Sequence, residues 1–134
     1  MGRGIVAAIL VVMFAPASVR AHHNTAAVYD AEKPIPLEGT ITAVQWRNPH
    51  VLLFVDAKDA VGTTVNWKIE LLAALIILGQ EGLTKDVLKA GDPVSMTVCL
   101  AKDGSHTAAA QYLFVPSSLE NKRVGTCKSQ PPPR

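Results

Sequence analysis

The sequence has almost no excess charge: 13 Lys and Arg face 11 Asp and Glu, a formal net of +2 over 134 residues. With no basic surplus to neutralise phosphates, general nucleic-acid binding is not expected. Aromatics are scarce at 5%. Catalytic signatures are missing too. There is no Gly-x-Ser-x-Gly elbow, no Cys–His constellation of known spacing, no phosphate-binding glycine loop and no dinucleotide fingerprint. An ordinary hydrolase or nucleotide-dependent enzyme is therefore disfavoured, which leaves open only an enzyme with a scattered site. No apolar run is long enough to span a bilayer, which takes about 20 residues. The longest, Ile5 to Ala15, has 11.

That run has its own meaning. Arg3 precedes it, and a Pro-containing stretch ending Val19-Arg20-Ala21 follows it. This is the pattern of a secretory signal cleaved after Ala21, with Ala17 as a second cleavage point and an uncleaved anchor as the alternative. Cleavage after Ala21 removes Arg3 and Arg20 and no acidic residue, so Lys plus Arg falls from 13 to 11, Asp plus Glu stays at 11, and the formal charge becomes zero. The hydrophobic share falls from 49% to about 44%, an ordinary globular value. The remaining chain holds no transmembrane segment by hydropathy. Its expected location is periplasmic or secreted.

Only two cysteines are present, Cys99 and Cys127. In an oxidising compartment an even pair points to a disulfide, and the spacing is not that of a zinc motif.

The periodicity gives five strands. Residues 22–36, with two prolines, form an N-terminal arm. In the first strand, 37–47, the apolar phase runs Leu37, Ile41 and Ala43, then shifts to Val44 and Trp46, which predicts a bulge. Asn48-Pro49 makes a turn before an apolar strand over 50–56. Residues 64–71 alternate, with Val65, Trp67, Ile69 and Leu71 on one face. Residues 72–79 read as a short buried helix, and Thr84 caps a single turn. Residues 93–101 and 107–115 alternate on either side of the Asp103-Gly104 hairpin signal. Three strands, a helix and two strands is the order of a five-stranded OB-fold-like Greek-key barrel, mainly β, with its short helix between strands three and four. The barrel domain then covers 37–116, and 117–134 is a polar tail, disordered beyond 127.

Chemistry is expected first at the new amino terminus. Processing after Ala21 would leave His22 first and His23 second. A terminal His offers its free amine and its ring Nδ1 together, both able to deprotonate near neutral pH. Amine and imidazole nitrogens in a tetragonal set suit Cu(II). His50, held after a rigid Asn-Pro turn, is the candidate to complete a metal site of His22, His23 and His50. A flexible solvated end and a rim-capping His are the ordinary alternatives. Asp30 and Glu70 are candidate partners orienting a His, or an acid–base pair. A cross-strand salt bridge is the ordinary role for Glu70. His106, beside a turn tip, reads as solvated, and Trp46 and Trp67 as core.

Several of these residues fall into motifs: Ala21-His22-His23, Tyr29-Asp30, Trp46-Arg47-Asn48-Pro49-His50, Asn66-Trp67 with Glu70, Gly91-Asp92 and Ala101-Lys102-Asp103-Gly104. In these, residues 21–115 resemble a family of small exported bacterial proteins of uncharacterised function. The resemblance implies location and architecture, and no activity. One departure stands out. Where that family carries a polar Ser-Pro-Asn-like stretch and an Arg around the helix, this chain has Leu72-Ala73-Ala74-Leu75-Ile76-Ile77. Two functions follow as expectations. One is a periplasmic protein binding copper through the processed terminus and His50. The other is a metal-free module that binds a ligand or a periplasmic protein partner through the barrel face and residues 72–78.

Overall fold

The computed structural model describes residues 24–115 and 119–127. The expected signal at 1–21, His22 and His23, and the tail beyond 127 lie outside the described residues. Eight elements follow in order: α1 (Thr25–Val28), β1 (Ile35–Gln45), β2 (Val51–Lys58), β3 (Thr64–Leu71), α2 (Leu75–Gln80), β4 (Pro93–Leu100), β5 (Thr107–Val115) and β6 (Glu120–Arg123). Antiparallel pairing joins β3 to β2, β2 to β1, β1 to β4 and β4 to β5, and a parallel pairing of β3 with β5 closes the ring. The result is the expected closed five-stranded barrel with a helix between the third and fourth strands. β6 pairs with β5 outside the ring.

Closure depends on β1 serving two neighbours. Residues Ile35 to Thr40 pair with β4, and Gly39 to Gln45 pair with β2. The handover falls on Gly39 and Thr40. The predicted bulge follows at once: Ile41 faces Val55 and Ala43 faces Phe54, which leaves Thr42 as the extra residue. The phase therefore changes one step earlier than the apolar pattern suggested. Ile41 is buried, but Ala43 is exposed, and Val44 and Trp46 pack partly buried against the core. On the closing side β5 supplies Ala108, Ala109 and Ala110, all fully buried. Their small side chains let β5 approach β3 closely.

The interior is built from alternate residues: Val51, Leu53, Val55 and Ala57 of β2, Trp67, Ile69 and Leu71 of β3, Val94, Met96 and Val98 of β4. Leu78, Leu83 and Leu88, from the segment between β3 and β4, belong to the same core. The single turn at Thr84 is present, closed by the Thr84 carbonyl accepting from Val87 and Leu88 N–H groups.

Three elements differ from the reading of the sequence. The helix starts at Leu75, not Leu72, because the Ala73 N–H donates to the Val124 carbonyl at 2.8 Å and holds this stretch extended. It is also not wholly buried: Leu78 is inside, while Ile76 is 71% and Ile77 44% exposed. The arm contains α1, and the polar segment after the fifth strand contains β6.

A second apolar cluster lies outside the barrel. Tyr29 and Ala31 from the arm meet Cys99, Ala101 and Ala109 from β4, its following loop and β5, together with Cys127. Cys99 and Cys127 form the disulfide, with Cα atoms 6.4 Å apart. The Thr25 hydroxyl donates to the Cys127 carbonyl at 3.3 Å. The two ends of the described chain thus cover the same patch of barrel wall.

Candidate functional site

The alternation of β3 that sends Trp67, Ile69 and Leu71 inward sends Glu70 outward. In the antiparallel register Glu70 faces Leu52. His50, two residues before Leu52, is therefore a diagonal neighbour on the same outer face. Its Nδ1 lies 2.7 Å from Glu70 Oε1. The two side chains are 18% and 28% exposed, so the pair is sheltered but reachable by solvent. Asn48-Pro49, a cis peptide, sets the chain into β2 immediately before His50.

The arm brings a third group. An isolated bridge pairs Tyr29 with Ala101, the Asp30 N–H donates to the Leu100 carbonyl at 2.9 Å, and the Lys102 N–H donates to the Val28 carbonyl at 2.9 Å. So anchored, Tyr29 buries its ring, leaving it 5% exposed, and its hydroxyl donates to Glu70 Oε2 at 2.7 Å. Glu70 thus gives one oxygen to each partner.

The protonation logic follows from these contacts. Burial pushes the Tyr29 phenol well above its ordinary value, and the hydrogen bond and negative charge of Glu70 add to this, with Asp103 contributing. The phenol therefore stays a donor at every working pH. An ionised carboxylate only accepts, so His50 Nδ1 carries the proton toward Glu70. That assignment comes from the bonding pattern, with Nδ1 as the ring nitrogen that faces the carboxylate. A carboxylate holding one ring nitrogen is an arrangement found behind metal-ligating histidines and histidines acting as bases.

The structure sorts the expected residues. His50 and Glu70 come together as a cross-strand pair between the start of β2 and β3. Asp30 does not join them through its carboxylate, whose Oδ1 accepts the Glu32 N–H at 3.3 Å. Its neighbour Tyr29 takes that place. His22 and His23 lie outside the described residues. His106 is exposed, yet it is not merely solvated: its ring meets the Trp67 ring edge-on at 5.1 Å. Trp67 is core, 5% exposed, and its Nε1 has no hydrogen-bond partner among the described residues. Also among the described residues, no group of three or more His, Cys, Asp or Glu converges to hold a metal ion.

Tyr29 is the site residue that sequence reasoning missed. Its only signal was the Tyr-Asp pair within the resemblance, because one tyrosine in an arm without periodicity gives no hint of a partner 41 residues away.

Fold and site define a small closed β-barrel with a carboxylate-oriented histidine on its outer wall. Residues 9–110 match the family of unknown function DUF6152, and the chain belongs to that family. No curated protein and no solved structure matches it. Among the described residues no helix is long and apolar enough to cross a membrane.

Proposed function

We propose that this is an exported, periplasmic protein that binds copper through His50 and the processed terminus at His22, with His23 as a further donor. The observation that carries the reading is the His50–Glu70 pair at 2.7 Å, because a carboxylate hydrogen-bonded to a ligating imidazole orients the ring and raises its basicity. The arm supports it. Tyr29 anchors the arm on the same carboxylate, and His22 lies seven residues earlier, four of the intervening residues being α1. Export is supported by the apolar run before Ala21 and by the disulfide, which belongs to oxidising compartments. Asp30, held by Glu32, is left out of the site.

The test is a Cu(II) titration of protein secreted and processed by its own leader, with the first residue confirmed by mass spectrometry. One tight equivalent with a tetragonal EPR spectrum is expected. A variant retaining Met before His22 should lose at least tenfold in affinity, since the amine is no longer on the chelating histidine. Processing at another position, or equal affinity of the two forms, removes the reading. The exposure of Ile76 and Ile77 favours the second one, a metal-free interaction module, and a protein that binds no copper would turn attention there.

A further inference from the structure

We propose that Tyr29 is a positioning residue that couples docking of the arm to the orientation of His50 through Glu70. The coupling is a property of the metal-free protein; its effect on copper affinity rests on the function proposed above.

The geometry is specific. Glu70 accepts from the Tyr29 hydroxyl on Oε2 and meets His50 Nδ1 on Oε1, both at 2.7 Å. A Glu carboxylate turns about a broad, roughly two-fold terminal torsion, so the contacts to its oxygens set its plane. The Tyr29 hydroxyl and His50 hold opposite oxygens. The orientation that His50 meets is therefore set, in part, by whether Tyr29 is in place.

A tyrosine serving only to pack would not need its hydroxyl. The ring is already enclosed by Ala31, Cys99, Ala101, Ala109 and Cys127. The arm also has other anchors, since Asp30 N–H, Lys102 N–H and Lys102 Nζ make backbone contacts at 2.9, 2.9 and 2.6 Å. Removing the hydroxyl alone should leave the arm docked and sever only its link to the histidine. The consequence is regulatory. Anything that lifts the arm from the barrel wall also withdraws the Tyr29 hydroxyl from Glu70, and with it one of the contacts that orient His50.

The experiment is Tyr29→Phe, read first by 15N chemical shifts of the histidine rings in metal-free protein. The wild type should show His50 as the Nδ1–H tautomer. Tyr29→Phe should shift His50 toward a tautomer mixture while hydrogen exchange at the Asp30 amide stays slow, which shows that the arm remains docked. Cu(II) affinity should fall about tenfold, the lower end of the range for outer-shell partners. Glu70→Asp, one methylene shorter and unable to span both partners, should produce the same tautomer change and serves if Tyr29→Phe does not fold. A wild-type His50 tautomer in both variants overturns the proposal. A tautomer change in a protein that binds no copper supports the positioning role and removes only the copper reading. Copper binding with unchanged His50 shifts does the reverse.

Discussion

Gly39→Ala should cost about 3 kcal/mol, and Gly39→Val should leave the barrel largely unfolded. Gly39 sits where β1 passes from pairing with β4 to pairing with β2. A Cβ there would run into the backbone carbonyl of Asp56, lie 2.7 Å from Val55 Cγ1 and 3.0 Å from Ala57 Cβ. None of these can give way easily. Asp56 and its neighbours belong to β2, which is held on its other side by eight register pairs with β3. Val55 is wholly buried in the core. Overpacking that must move backbone lies at the upper end of the usual 1–3 kcal/mol, and Val adds two methyl groups to the same collision. Urea unfolding measures it. A Gly39→Ala midpoint equal to wild type would mean that β1 does not approach β2 as described.

Replacing both cysteines, Cys99→Ala with Cys127→Ala, is the second large effect. The disulfide closes a loop with a sequence separation of 28. The chain-entropy relation gives about 3–4 kcal/mol for a loop of that size. In a domain of this length that lowers Tm by on the order of 15 °C. Both sulfurs are fully buried, so the substitution also thins the packing beneath Tyr29. The loss should therefore be accompanied by faster exchange of the Asp30 amide, whose bond to Leu100 holds the arm in place. A double variant within 1 kcal/mol of the native protein would show that the covalent tie adds little to packing at this wall.

The barrel was legible because its strands are half-buried and alternate. The alternation of β3 over 64–71, the Asp-Gly hairpin before β5 and the helix-sized gap after β3 were enough to order the elements. What was hidden has physical reasons. β6 is Glu-Asn-Lys-Arg, without one apolar residue, and is held by backbone pairing with β5. Leu72 to Ala74 match a helix in composition, but the Val124 carbonyl fixes them extended. Ala43 matched the buried phase by type, yet the bulge at Thr42 turned it outward. The site was half legible. His50 stood out through its Asn-Pro turn and Glu70 through its place on the polar face of a strand. Their meeting depends on the β2–β3 register, and Tyr29 reaches them only through the fold. Asp30 was selected for its charge, while the neighbouring phenol has the geometry.

The copper reading is tested most directly by pulsed EPR on processed protein loaded with one equivalent of Cu(II), comparing wild type with His50→Gln. Imidazole ligation gives nitrogen modulation from the remote ring nitrogen, and wild-type protein should show it from His50 as well as from the terminal histidine. His50→Gln should lose part of that modulation and bind copper more weakly, while a signal from the terminus persists. Identical spectra and affinities for the two proteins would contradict the account, because the copper would then sit on the terminus alone and the Glu70-oriented histidine would not be a ligand.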